Sequence, residues 1–204
     1  MKRSVSITFA GMLFAGCASD APAPTAPMSV PVVEQGAHAP GGSPRSNGGN
    51  FGTPLSGGEE VMPAGVVNTS QARGNAIFQL SADGQSLSYK LIVANIENVF
   101  QAHIHRGPAG TNGGIVVWLY PSTTPGAGPL GGGRVNGVIA EGTITAANLV
   151  GSLAGQPLSA LVELLSTGGA YVNVHTNDGT NPTNTGPGDY PGGEVRGQVE
   201  HRGH

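Results

Sequence analysis

From Phe51 onward the chain alternates apolar with polar residues at a period of two, and no other feature restricts its fold as much. In "NAIFQLS", Ala76, Phe78 and Leu80 fall on one side. In "SLSYKLIV", Leu87, Tyr89, Leu91 and Val93 do the same. Successive side chains of a strand point to opposite faces, so this spacing predicts strands. Between the two runs lies "SADGQ", whose Asp83-Gly84 pair is a hairpin-turn signal. "GGIVVWLY" is a continuous β-branched and aromatic run and reads as a buried strand. "GVIAEGTIT", "AYVNVHT" and "GEVRGQVE" add three more. One stretch, "PLSALVELLSTGG", reads as a helix: Leu158, Leu161, Val162 and Leu165 fit a single stripe, and Gly168 offers a stop. Thirty-five glycines and sixteen prolines, mostly between these runs, supply the turns. The expected fold is all-β, an antiparallel, Greek-key-like β-sandwich or barrel with one short helix.

The residues before Phe51 read differently. Lys2 and Arg3 precede the apolar run "SVSITFAGMLFAG", which is too short to span a bilayer and reads as a secretory signal peptide over residues 1–16. It ends at "LFAGC", where Ala15 and Gly16 stand before Cys17, the one cysteine of the chain. This resembles the bacterial lipobox, whose cysteine is acylated and becomes the mature N-terminus. Leu13 sits one place early and Phe14 occupies the position where that pattern prefers leucine. Ala18, not aspartate, follows the cysteine, which favours the outer membrane over the inner. Residues 17–50 are rich in Pro, Ala, Gly and Ser and have little to bury, so they read as a disordered tether, with His38 inside it. With Cys17 lipidated no thiol remains for a disulfide, and the exported domain over 51–200 must be held by its core alone. Net charge is −3 and charged residues are 10 %, with no basic run after the signal, which argues against a nucleic-acid partner.

Three segments in order carry a family resemblance: "LSGGEEVMPAG" (55–65), "QAHIHRGPAGTNGGIVVWL" (101–119) and "YVNVHT…PGGEVRGQV" (171–199). Together they resemble the CHRD domain, named for repeats in the animal protein chordin and found singly in bacterial exported proteins. Met62 departs from the family's more usual second proline. The resemblance implies an all-β fold and very little biochemistry.

The strand phases say where the histidines go. In "AHIHR", Ile104 opposes His103 and His105. In "YVNVHT", Val172 and Val174 oppose Tyr171, Asn173 and His175; in "GEVRGQVE", Val195 and Val199 oppose Glu194, Arg196 and Gln198. With the apolar members facing the core, His103, His105 and His175 lie on the outer face of the barrel wall, together with Asn173, Glu194 and Arg196. The loop "NDGTNPTNTGPGDYPGG" and the segment "GPAGTNGG" are both placed to fold over that face. Three convergent imidazoles suit one copper or zinc ion, with Asn173 as an orienting partner. They equally suit a structural set hydrogen-bonded to backbone carbonyls. The arrangement also resembles, more distantly, the copper half of copper/zinc superoxide dismutase, with His103, His105, His175 and Arg196 at matching positions. No candidate stands for that enzyme's bridging histidine, its zinc-site histidines or its disulfide, so the comparison implies at most a mononuclear three-histidine site.

Weaker signals remain. Asp178, Asn181, Asn184 and Asp189 offer oxygen ligands for calcium, at a spacing foreign to the EF-hand loop. Glu59 and Glu60 are adjacent, so strand geometry sends them opposite ways. Glu194 and Arg196 are expected to form an ion pair on the sheet surface. There is no Ser-His-Asp spacing, P-loop or dinucleotide fingerprint, and "GGGRVNG" lacks the lysine of a phosphate loop. Binding is therefore favoured over catalysis. Two roles compete for an outer-membrane lipoprotein of this kind: a protein that holds copper or zinc, or a structural module that presents a β-surface to an envelope or extracellular protein. A dismutase-type oxidoreductase ranks third.

Overall fold

The structure, a computed structural model, describes residues 49–202. The signal peptide, Cys17, the tether up to residue 48 with its His38, and His204 lie outside the described residues, and the last tether residue, Asn50, opens the first strand. Nine strands form one sheet: β1 (Asn50–Ser56), β2 (Arg73–Leu80), β3 (Leu87–Glu97), β4 (Val99–Arg106), β5 (Ile115–Tyr120), β6 (Arg134–Ile144), β7 (Ala170–Thr176), β8 (Val195–Gln198) and β9 (Glu200–His201). The order is β5-β4-β7-β8-β1-β2-β3-β6, with β9 pairing β1, and every ladder is antiparallel. The end strands β5 and β6 lie against one another without a ladder, so the sheet is a nearly closed barrel.

The expected strands form, and the physical signals are visible. The β2–β3 hairpin turns at Gly84, whose φ of +70° is a conformation glycine adopts freely. Asp83 accepts hydrogen bonds there from Ser81 and from the Gln85 amide. The helix α1 (Leu158–Ser166) buries Leu158, Leu161 and Leu165 and stops before Gly168, at φ +68°. Strand β1 carries no clean alternation because Gly52 and Pro54 interrupt it. It is nevertheless a central strand, paired with β2 on one side and with β8 and β9 on the other.

The core runs through the barrel. Ala102 and Ile104 of β4, Val172 and Val174 of β7, and Val195 of β8 are fully buried in it. Strand β7 is buried at every position, so its second face is covered as well. That second face carries the histidines.

Candidate metal centre

Register places the site side chains in rows across three strands. His103 of β4 pairs with Asn173 of β7, which pairs with Arg196 of β8. One row along, His105 pairs with Tyr171, which pairs with Gln198. One row the other way, Gln101 pairs with His175. The intervening rows, Ile104–Val172–Gly197 and Ala102–Val174–Val195, point to the core. The alternation read from sequence therefore fixes the phase: the three histidines share a face, and the valines occupy the other.

That outer face is not exposed. His103 is 1 % exposed, His105 8 % and His175 7 %. Two loops cover them. His105 donates from Nδ1 to the Gly113 carbonyl at 2.9 Å, and His175 donates from Nδ1 to the Pro191 carbonyl at 2.8 Å. A carbonyl only accepts, so both rings carry their hydrogen on Nδ1 and, when neutral, present Nε2 as an acceptor. His103 Nδ1 lies 3.0 Å from His175 Nε2 and donates to it. The Nε2 atoms of His103 and His105 are buried with no hydrogen-bond partner. One ligand nitrogen from each ring lies within 4.8 Å of the other two, and among the described residues this is the one cluster of three or more such side chains.

Aromatic rings hold the imidazoles in place. Trp118 of β5, opposite His103 in the ladder, meets its ring edge-to-face at 4.3 Å between centroids. Tyr171 stacks on His105 at 4.9 Å with planes 7° apart, and the Arg196 guanidinium lies 3.4 Å from the centroid of the same Tyr171 ring. The Tyr171 hydroxyl accepts the Gly113 N–H at 3.0 Å, so it holds the residue whose carbonyl orients His105. Arg196 holds the same loop through the Pro108 and Thr111 carbonyls and Asn112 Oδ1. Asn112 in turn donates to the Val61 carbonyl. A Cβ at Gly113 would run into the Arg106 carbonyl, so glycine is required for this approach.

Electrostatics keep the rings neutral. Burial, then repulsion from His175 and His105, pushes His103 down to about 2. Burial lowers His175 to about 4 despite its bond to Pro191. Burial also lowers His105, against the raising effect of its Gly113 bond, and the Arg196 cation lowers it further. A neutral imidazole with a free lone pair is the form that ligates metal.

One sequence expectation needs correction. Glu194 and Arg196 do not form an ion pair, and neither lies on an exposed surface. Glu194 is fully buried and accepts from Ser70 Oγ, Thr176 Oγ1 and the Gly188 amide. It staples three segments, and Arg196, 1 % exposed, is served instead by neutral oxygens. The reason is positional. Glu194 stands just before β8, in the loop that returns from β7, and that loop supplies its donors. In the loop with the candidate oxygen ligands, Asp178 accepts from the Thr180 amide and hydroxyl, and Asp189 Oδ2 from those of Thr185, the bonds of local turns.

Glu60 was underrated by its adjacency to Glu59. Glu59 is exposed, but Glu60 turns inward after the short 3-10 turn Gly57–Glu59. Its Oε1 is buried without a partner, and its carboxyl reaches a cleft beside Asn173 that a Cβ at Gly193 would fill. Burial raises it to about 8, with the Arg196 charge and the Asn173 bond pulling it back down. Trp118 and Tyr171, seen in the sequence only as strand residues, are the other neighbours of the site.

The comparisons agree with the motifs. The family model of the CHRD domain matches residues 51–199, nearly all of the described barrel. No curated protein and no solved structure matches the chain. Over that span, with its histidine strands and its covering loops, the chain belongs to the CHRD domain family.

Proposed function

We propose that this CHRD domain binds one copper or zinc ion through His103, His105 and His175, and that it does so on the bacterial outer membrane, anchored by a lipidated Cys17. The observation that carries the metal reading is the pair of buried Nε2 atoms, on His103 and His105, that face no hydrogen-bond partner. Bare, buried nitrogens cost free energy in a purely structural cluster, and a metal ion satisfies them. The ligands sit on two paired strands of the barrel, and the carbonyls of Gly113 and Pro191 orient two of them, as outer partners of metal-bound histidines commonly do. Metal–nitrogen bonds of about 2 Å require nitrogens roughly 3.3 Å apart, so a separation of up to 4.8 Å closes by about 1.5 Å on loading, and His103 gives up its Nδ1–H bond to His175 so that His175 Nε2 is free to ligate. The competing reading, a structural module for an envelope partner, rests on the same three imidazole hydrogen bonds. It does not account for the two bare nitrogens.

Elemental analysis of the full chain, purified without a histidine tag, decides between the two. One equivalent of copper or zinc supports the metal reading, and a protein that takes up neither ion at neutral pH leaves the structural one. The anchor is tested separately: palmitate labelling and membrane partition should be present in the wild type and lost in Cys17→Ser. An unmodified Cys17 in a soluble fraction would remove the lipoprotein part of the proposal.

A further inference from the structure

The ligand set is neutral. Among the described residues no carboxylate or thiolate joins the three imidazoles, and His105 and His175, whose Nδ1–H groups donate to carbonyls, can ligate only through Nε2 as neutral imidazoles. An ion held here therefore keeps its whole charge.

The surroundings do not offset it. The charge that acts on His105 is that of Arg196, a cation, buried one aromatic ring away across Tyr171. The hydrogen bonds of Arg196 go to neutral oxygens. The carboxylate of Glu194 is committed to Ser70, Thr176 and the Gly188 amide. Glu60, when ionised, sets its one negative charge against the positive charge of Arg196, so the sum near the cluster is close to zero. The cluster is also nearly sealed, at 1 % to 8 % exposure.

We infer that the site is built for a monovalent ion, copper(I), in preference to zinc(II) or copper(II). This rests on the reading of the three histidines as a metal centre. The cost of moving an ion out of water rises with the square of its charge, so a divalent ion costs about four times as much to bury as a monovalent one of the same size. Zinc(II) in a three-histidine site takes a fourth ligand, a water or an anion, which here must be admitted into a closed cluster that supplies no negative charge of its own. Copper(I) is content with three neutral nitrogens. Imidazole is a borderline ligand that suits both metals, so softness does not choose between them and charge does.

The test uses the full-length, untagged protein in detergent. Copper(I) affinity is measured anaerobically by competition with bicinchoninate, zinc(II) affinity with a chromophoric chelator, and copper(II) affinity by equilibrium dialysis. Copper(I) should be held at least about 100-fold more tightly than either divalent ion. Zinc(II) or copper(II) bound as tightly as copper(I), or more so, overturns this inference and leaves the metal reading standing. No binding of any of the three overturns both. A second variant addresses the cause: Asn173→Asp places a carboxylate in the row between His103 and Arg196. It should shift the copper(I)-to-zinc(II) affinity ratio toward zinc by about tenfold. An unchanged ratio contradicts the charge argument.

Discussion

His103 and His175, 72 residues apart in the chain, meet ring nitrogen to ring nitrogen, Nδ1 to Nε2, at 3.0 Å. Only one hydrogen fits between them. Because His175 spends its own Nδ1–H on Pro191, that hydrogen comes from His103, and His103 is left with a bare Nε2 against the Trp118 side of the site. Protonating His103 at its bare Nε2, or His175 at the Nε2 that accepts from His103, puts a charge into a sealed cluster beside two other imidazoles. The pair is therefore held neutral, and this has consequences for stability and for metal retention.

Acid should destabilise the metal-free protein at an unusually high pH. In the unfolded chain these histidines take up protons below about 6.5. In the folded protein His175 waits until about 4 and His103 until about 2. Between those limits the unfolded state binds more protons, so the histidines' contribution to stability is complete above about 6.5 and falls as the pH is lowered, by about 1.4 kcal/mol per pH unit for each histidine. Urea denaturation at pH 7, 6 and 5 reads this slope above the range where most carboxylates titrate. The double variant His103→Asn, His175→Gln should flatten it. A wild-type curve already flat over that interval contradicts the neutral-pair description.

The same neutrality extends metal retention into acid. Unperturbed histidines would release an ion below about pH 6.5. With His175 protonating only near 4, the half-point should fall clearly below that. Trp118 provides the readout. It is the one tryptophan in the chain, and its ring lies 4.3 Å from that of His103. Copper(II) should quench its fluorescence, and each of His103→Ala, His105→Ala and His175→Ala should weaken that quenching at least about 100-fold in copper concentration. Quenching that survives all three substitutions would place the ion elsewhere.

The phase of the site and the two loops that cover it were legible in the sequence, but its partners were not. Alternation alone puts His103, His105 and His175 opposite Ile104, Val172 and Val174, because a strand has only two faces. Nothing local says that His103 and His175 come from paired strands. That follows from β4 lying beside β7, a long-range pairing. Glu194 shows the limit most clearly. Its place in the pattern is two residues from Arg196 on the same strand, and an ion pair follows if both are exposed. In the fold it sits in a loop and finds Ser70, more than a hundred residues away, as a partner. Strand β1 was hidden for a different reason: Gly52 and Pro54 break the alternation, and only pairing with β2 identifies the segment as a strand.

Tyr171→Phe should separate positioning from packing. The ring stays, so the stack with His105 and the contact with Arg196 are kept, while the Gly113 N–H loses its acceptor. A backbone donor left unpaired costs about 1 to 3 kcal/mol, and the Gly113 carbonyl is then free to drift from His105. The expected result is a modest loss of stability with a larger loss of metal affinity, about 10- to 100-fold. Equal affinity in wild type and variant would show that the hydroxyl does not orient His105.

Glu60→Gln should stabilise the metal-free protein at alkaline pH and not at acid pH. The carboxyl of Glu60 is raised from 4.5 to about 8, chiefly by burial, so the folded protein keeps a proton that the unfolded chain gives up above about 4.5. Between these values the folded state binds more protons, and stability falls as pH rises toward 8. This slope is opposite in sign to that of the histidines, which are already neutral in both states above about 6.5. From pH 6.5 to 8 the decline therefore belongs to Glu60 among these groups, and it amounts to about 1 to 2 kcal/mol after allowance for residual solvent contact and for the Arg196 charge. Glutamine keeps the shape and removes the charge, so the variant should be flat over that interval and more stable than wild type at pH 8, with the difference vanishing near pH 4.5. Urea denaturation of both proteins at pH 5, 6.5 and 8 makes the comparison. A wild type whose stability does not decline between pH 6.5 and 8, or a variant that declines in parallel, would mean that Glu60 is ionised and paired in the folded protein, with Arg196 as its counter-ion.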